Sequence, residues 1–167
     1  MSISTPRLKT IEEQWKYFEN TTKSFEKRSI SLIESTWEYW VCGEGEKTLI
    51  FFHGAMIGPE MWFYPIDALK KEYRIIAPFI PLTLSSVDEV IDFYKNLIIR
   101  EEIEHKTIIG YSYGGGLVQL LLDFLPEKID RVVLTHTGLL WGRKKVPSQR
   151  ILKFILSILP FSIGEKF

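Results

Sequence analysis

The spacing of apolar residues changes along this chain, and the changes predict its secondary structure. Residues 29–34 and 37–42 alternate apolar and polar side chains, as half-buried antiparallel strands do. Four later runs are apolar almost throughout, which is typical of central strands covered on both faces. These runs are residues 48–52, 73–77, 106–109 and 129–135.

Helical spacing of apolar residues separates these strands. Ser86 and Glu89 form a capping-box pattern at the start of one helix, because a serine stands three residues before a glutamate and an apolar periodic run follows. The predicted helices cover residues 10–18, 59–69, 86–98 and 115–125. Because buried strands alternate with helices after residue 48, the sequence predicts an α/β fold, a mostly parallel sheet with helices on both faces.

Length and composition fit one globular domain. The chain has 167 residues, of which 46% are apolar and 25% charged. Basic and acidic residues number 21 each, so no charge excess favours nucleic acid as a partner. The single cysteine, Cys42, cannot form an intramolecular disulfide, which fits a reducing compartment, and we expect a cytoplasmic protein. We also expect no signal peptide and no transmembrane segment.

The strongest chemical signal is Gly-Tyr-Ser-Tyr-Gly at residues 110–114. An apolar run rich in isoleucine precedes it and a helical pattern follows it, so the predicted order is strand, sharp turn, helix, with Ser112 at the apex. Gly110 and Gly114 are required because a larger side chain would collide across the turn. A serine hydroxyl presented in this way is a candidate nucleophile for acyl transfer.

A second feature, His53-Gly54-Ala55, follows the predicted strand 48–52. Reactive groups in parallel sheets collect at the carboxyl ends of the strands, so this turn and the serine turn are expected at one edge. When a serine attacks a carbonyl group, the carbonyl oxygen becomes negative and needs preorganised donors. The backbone N–H of Tyr113 is one candidate, and that of Ala55 is the first choice for the other, with Met56 second.

Together these two turns resemble the α/β-hydrolase family, from about residue 30 onward. The resemblance implies that Ser112 is the nucleophile, that the backbones of Ala55 and Tyr113 form the oxyanion hole, and that no metal or organic cofactor is needed. It also implies an apolar substrate pocket near Met56, Trp62 and Trp141. The implied organisation is an N-terminal extension (1–28), the N-terminal part of the core (29–140) and the start of a cap or lid (141–167).

The chain departs from the family pattern after the strand at residues 73–77. Many members have an acidic residue and a glycine-rich turn there, whereas this chain has Pro-Phe-Ile-Pro-Leu at residues 78–82. That loop is closer to the maspardin-like branch of the family, for which the resemblance implies protein binding rather than hydrolysis.

The second departure concerns the acid and the histidine that should follow the serine along the chain. His136 is the only later histidine, and it is either a surrogate base or a core or cap contact. The later acidic residues are Asp123, Glu127, Asp130 and Glu165. None of these acids fits the family's triad, and His53 is expected to be structural. We therefore interpret the chain as lacking the C-terminal strands of a longer fold, as a gene fragment, a truncated sequence or one half of a split protein.

Two functions follow from this interpretation. The first is a serine hydrolase acting on a small acyl substrate such as an ester, with its acid and base supplied by residues that this chain lacks. The second is a non-catalytic protein of the same fold that binds a partner through its cap. We expect the apolar segment at residues 151–163 either to cover a substrate cavity or to promote self-association. If strand 129–135 is an exposed edge of the sheet, it should also promote self-association.

Overall fold

The computed structural model describes residues 10–33, 35–84 and 86–138. Within these ranges the strands are β1 (Glu26–Ser31), β2 (Thr36–Cys42), β3 (Thr48–Phe52), β4 (Arg74–Pro78), β5 (Lys106–Tyr111) and β6 (Arg131–Thr135). The helices are α1 (Ile11–Thr22), α2 (Phe63–Leu69), α3 (Val87–Arg100) and α4 (Tyr113–Phe124), with 3₁₀ turns at Pro59–Trp62 and Pro126–Lys128.

In the described part of the chain the strands form one six-stranded sheet in the order β1-β2-β4-β3-β5-β6. The ladders joining β4, β3, β5 and β6 are parallel, whereas β2 runs antiparallel to both β1 and β4. This arrangement confirms the predicted α/β fold with a mostly parallel sheet. It also brings the carboxyl ends of β3 and β5 side by side, which places the two predicted turns at one edge.

Two apolar layers cover the sheet, one on each face. Helices α3 and α4 pack on one face, where Ile50 and Phe52 of β3 point, and α2 packs on the other face against Leu49 and Phe51. All five residues of β3 are buried, as expected of a central strand. Burying a large apolar side chain contributes about 1.5–3 kcal/mol, so the burial of β3 helps to hold the turn that follows it.

The first strand begins three residues earlier than predicted, at Glu26 instead of residue 29. The antiparallel register pairs Glu26 with Val41 and Ser31 with Thr36. Beyond the last of these pairs, the backbone N–H of Leu32 donates to the carbonyl of Ser35 at 2.7 Å. The proposed division between residues 28 and 29 therefore falls inside β1, and residues 141–167 lie outside the described ranges.

Helix α3 has only half of the predicted capping box. The Ser86 hydroxyl accepts from the backbone N–H of Asp88 at 3.1 Å, as an N-cap should. The Glu89 carboxylate instead accepts from the Ser35 hydroxyl at 2.5 Å and from the Trp37 indole N–H at 3.1 Å. Glu89 therefore joins α3 to β2, because a buried indole N–H needs an acceptor more than an exposed helix end does.

Candidate active site

Ser112 lies at the turn between β5 and α4, at the carboxyl edge of the sheet. Its backbone has φ 50° and ψ −114°, a region that non-glycine residues rarely occupy. Two backbone hydrogen bonds hold the turn: Ser112 N–H donates to the Thr135 carbonyl at 3.0 Å, and Gly116 N–H donates to the Ser112 carbonyl at 3.2 Å. Strain of this kind costs about 1–3 kcal/mol and persists only where the surroundings impose it.

Gly110 and Gly114 permit the close approach of backbone segments around this turn. A Cβ atom on Gly110 would lie 2.6 Å from the Cα of Gly115, and one on Gly114 would lie 2.5 Å from the carbonyl oxygens of Phe52 and His53. Real Cβ contacts are essentially never this short, so neither position accepts a side chain without displacing backbone. The steric requirement inferred from the sequence is confirmed at both glycines.

The second turn follows β3, and its histidine is buried with only 2% of its surface exposed. The backbone N–H of Ile80 donates to His53 Nε2 at 2.9 Å, so this nitrogen is unprotonated. The neutral ring then carries its proton on Nδ1, which lies 2.7 Å from the carbonyl oxygen of Gly54 and donates to it. Burial lowers the pKa of His53, which further favours this neutral form. Both ring nitrogens are occupied, so His53 is not positioned as a base for Ser112.

The two candidate oxyanion donors lie on the loops that follow neighbouring strands. Phe52 pairs with Gly110 in the parallel ladder between β3 and β5, so Ala55 and Ser112 follow their strands at the same edge. Ala55 is half-buried. Tyr113 is the first residue of α4, where the helix dipole favours negative charge.

Of the residues predicted to line an apolar pocket, Met56 is exposed, with φ 64°, and Trp62 is buried. The centroid of the Trp62 ring lies 5.1 Å from that of Phe51 and 6.4 Å from that of Tyr111, which it meets edge-on. Tyr111 directly precedes Ser112 in the chain. The Trp62 indole N–H has no hydrogen-bond partner in the described part of the chain. Trp141 lies outside the described residues.

Comparison with solved structures shows the same architecture in known hydrolases. Carboxylesterase CesB (YbfK) from Bacillus subtilis superimposes with a TM-score of 0.61 and 19% identity, over 72% of this chain and 47% of that one. An epoxide hydrolase mutant from Vigna radiata gives a TM-score of 0.62 and 20% identity, over 71% and 40% of the two chains. The chain has the α/β-hydrolase fold.

No protein-family model matches the chain. The curated proteins that are similar in sequence are distant relatives, and their identity to this chain is too low to show a shared activity. The dihydrolipoyllysine-residue acetyltransferase component of an acetoin cleaving system from Cupriavidus necator is 24% identical over 134 residues, covering 70% of this chain and 36% of that protein. A pimeloyl-[acyl-carrier protein] methyl ester esterase from Yersinia enterocolitica is 22% identical over 111 residues, covering 60% and 40%. The chain thus spans well under half the length of these relatives.

Other titratable residues occupy different places on this α/β-hydrolase fold. His136 follows β6, is exposed, and its ring lies 5.4 Å from that of Tyr111. Asp130 lies at the amino edge of the sheet, where its carboxylate accepts from the backbone N–H of Lys106 at 2.7 Å. His105 is exposed at that same edge, directly before β5. Asp130 and His105 are therefore separated from Ser112 by the length of a strand.

Sequence reasoning missed two contacts that shape the site of this α/β-hydrolase fold. One is the hydrogen bond from Ile80 to His53, which joins the loop after β4 to the loop after β3. The other is the bond from Ser112 to Thr135, which ties the serine turn to the end of β6. Because most buried polar groups are hydrogen-bonded, a buried histidine is expected to have partners, but its sequence position does not identify Ile80 as one of them. No helix within the described ranges has both the length and the apolar character needed to cross a membrane.

Proposed function

We propose that this chain supplies the nucleophile and the oxyanion hole of a serine hydrolase that acts on an ester or a similar acyl substrate. The observation that carries the proposal is the strained backbone of Ser112, with φ 50° and ψ −114°, between β5 and α4. A strand-turn-helix of this form presents a serine hydroxyl outside the sheet. The names of three similar proteins, a carboxylesterase, a methyl ester esterase and an acetyltransferase component, also support acyl chemistry.

In the proposed reaction, Ser112 Oγ attacks the carbonyl carbon of the ester while a base takes the hydroxyl proton. The electron pair of the carbonyl bond moves to oxygen, and the backbone N–H groups of Ala55 and Tyr113 stabilise the oxyanion. Collapse of this intermediate breaks the bond to the alkoxy group, which leaves as an alcohol with the proton from the base. Water then attacks the acyl-serine in the same way and releases the acid. One such donor contributes about 3 kcal/mol of transition-state stabilisation.

The proposal assigns neither the triad acid nor the base to a described residue. The ring nitrogens of His53 are both engaged with backbone groups, and Asp130 lies at the opposite edge of the sheet. A serine hydroxyl without a base is a weak nucleophile at neutral pH, and oxyanion stabilisation alone leaves a residual rate. The acid and the base therefore remain to be identified, and the proposed activity has to be tested on the protein as it is expressed in the cell.

Reaction with a fluorophosphonate probe tests the proposal, because the probe forms a covalent bond with an activated serine. The protein in its cellular form should be labelled at Ser112, as mass spectrometry of its peptides would show. Ser112→Ala should abolish labelling. Ser29→Ala, which changes an exposed serine on β1, should leave labelling unchanged and serves as the matched control.

Either of two results would contradict the proposal: no labelling of the protein, or labelling that survives Ser112→Ala. The second candidate function would then be favoured, a non-catalytic α/β-hydrolase fold that binds a partner through its cap.

A further inference from the structure

An apolar groove of about 600 Å³ lies between helix α1 and the loop that follows β3. Six apolar side chains form most of its lining, namely Ile11, Trp15, Phe18, Ile57, Met61 and Phe63. Much of this surface faces solvent, since Ile11 is 86% exposed, Trp15 is 59% exposed and Ile57 is 46% exposed. Contiguous exposed apolar patches of this kind commonly mark interaction sites. The proposed chemistry at Ser112 does not account for this groove.

Side-chain contacts hold the α1 wall of the groove against α2. The Tyr17 hydroxyl donates to the carboxylate of Asp67. The rings of Phe18 and Phe63 meet edge to face, with their centroids 5.5 Å apart. Because aromatic contacts of this geometry stabilise the packing of one helix on another, the groove has a defined wall before any segment binds it.

Two carboxylates lie beside the apolar lining. Glu60 is itself one of the residues that line the groove. The indole N–H of Trp15 donates to the carboxylate of Glu19 at 2.9 Å, which places this second carboxylate next to a lining residue. Within the described ranges, neither Glu19 nor Glu60 forms an ion pair. A segment that is both apolar and basic therefore suits this groove.

The sequence of this chain contains such a segment after the described residues. Five apolar residues recur there at the spacing of one helix face: Ile151, Phe154, Ile155, Ile158 and Leu159. Helical spacing places Lys153 and Ser157 on the other side, and Pro160 ends the pattern. Residues 139–159 include five basic residues and no acidic residue. A helix as short as residues 151–159 is marginal in water, so it needs a surface on which to pack its apolar face.

The chain after β6 is long enough for this segment to reach the groove. Strand β6 lies two positions from β3 in the sheet, which is about 10 Å, and the two strands end at the same edge. Between Gly138, the last described residue, and Ile151 there are twelve residues, which span up to about 40 Å when extended. A helix over residues 151–159 is about 12 Å long, close to the wall of about 10 Å that residues 11–18 of α1 provide.

We propose that residues 151–159 bind this groove as an amphipathic helix, so that the segment following β6 is anchored on α1 of the same chain. The apolar stripe of the segment covers Ile11, Trp15 and Ile57, and hydrophobic free energy is gained in proportion to the area removed from water. The basic charge of the segment is opposite to that of Glu19 and Glu60. This interaction does not depend on a reaction at Ser112, and it gives α1 a function as the anchor of the predicted cap.

Nuclear Overhauser spectroscopy of the 167-residue chain, labelled at the isoleucine δ1 methyl groups, tests the proposal. The methyl groups of Ile11 and Ile57 should show cross-peaks to those of residues 155 and 158. The methyl groups of Ile33 and Ile99, which are exposed elsewhere on the molecule, should show none to the segment. Spectra of a mixture of labelled and unlabelled chains, filtered for contacts between different chains, should contain no cross-peak between the groove and the segment.

A pair of substitutions within the segment separates its two faces. Phe154→Asp should remove the cross-peaks and shift the signals of Ile11 and Ile57, because it places a charge in the apolar interface. Ser157→Asp, on the polar side of the same segment, is the matched control and should leave the cross-peaks in place. The δ1 signal of Ile50, which is fully buried in β3, should stay unchanged in both variants and so reports that the fold is intact.

The proposal is overturned if the groove shows no cross-peak to the segment, or if the cross-peaks survive Phe154→Asp. Equal loss of the cross-peaks in Phe154→Asp and Ser157→Asp would also overturn it, because the apolar stripe would then have no special role. Cross-peaks in the filtered spectra would assign the groove to a second copy of the chain instead. Labelling at Ser112 is a separate readout, so either this proposal or the proposed function can fail while the other stands.

Discussion

The imidazole ring of His53 joins the loop after β3 to the loop after β4. Its Nε2 accepts from Ile80 and its Nδ1 donates to the carbonyl of Gly54, the residue before Ala55. Because the ring is buried and makes both bonds, it fixes the backbone that we propose to carry an oxyanion-hole donor. His53 is therefore a positioning residue, and it can make both of these hydrogen bonds only while its ring is neutral.

This arrangement predicts a pH dependence of stability. Burial lowers the pKa of His53 in the folded state, whereas in the unfolded chain it returns to its ordinary value of 6.5. Below that pH the unfolded chain binds a proton that the folded chain does not, so the contribution is complete above pH 6.5 and is lost as pH falls. When the pH falls from 7 to 5, we expect the free energy of unfolding to decrease less in His53→Gln than in the unmodified chain. The two decreases should differ by up to about 2 kcal/mol.

Urea unfolding at several pH values measures this difference. The control is His105→Gln, which changes an exposed histidine at the opposite edge of the sheet and should retain the pH dependence of the unmodified chain. Equal pH dependence in His53→Gln and the unmodified chain would show that the ring is not held in its neutral form.

At the scale of secondary structure, Glu101 joins the end of α3 to three strands. Its carboxylate, with 1% of the side chain exposed, binds the guanidinium groups of Arg28 on β1 and Arg74 on β4. The Tyr39 hydroxyl on β2 donates to the other carboxylate oxygen at 2.6 Å. Since burial and the bond to Glu101 raise the pKa of Tyr39, the phenol remains a donor. None of these four residues belongs to the serine turn or to the loop after β3, so the network supports the fold rather than the chemistry.

We expect Glu101→Gln to destabilise the protein by about 3–5 kcal/mol, because two partly buried guanidinium groups would lose their shared countercharge. Glutamine keeps the shape of the side chain and an acceptor for Tyr39, so the change isolates the charge. Glu102→Gln, at the exposed neighbouring position, should alter the free energy of unfolding by no more than about 0.5 kcal/mol. Denaturant titration compares the two variants, and similar midpoints would refute the role of Glu101.

The contrast between the serine turn and the contacts of Glu101 explains which features could be predicted from the sequence. The strand-turn-helix at Ser112 was predictable because its requirements are local: an apolar run, two glycines where backbones meet, and a helical pattern. Glu101 and Glu89 were not, because their partners lie on distant strands and depend on the register of β1 and β2. The same holds for the bond between His53 and Ile80, which forms only once β3 and β4 are paired.

Considered as a whole, the sheet has two edges of different character. The β1 edge carries Lys27, which forms an ion pair with Glu38 at 2.7 Å, and Arg28, which binds Glu26 at 2.6 Å. Charged side chains of this kind protect an edge from pairing with another chain. Among the described strands, β6 pairs with β5 alone, and its Val133 and Leu134 are 46% and 41% exposed. Within the described ranges β6 carries a single charged side chain, the exposed Arg131, so this edge has less protection than β1.

This asymmetry predicts that the 167-residue chain self-associates through β6. Sedimentation velocity should show an average mass that rises with concentration, because pairing would satisfy the backbone groups of β6 and remove Val133 and Leu134 from water. Val133→Lys should restore the monomer, since a charge on the apolar edge opposes pairing. Ile99→Lys changes an exposed isoleucine on α3 and should associate like the unmodified chain. A chain that remains monomeric at every concentration, or equal effects of the two lysines, would show that β6 does not form the interface.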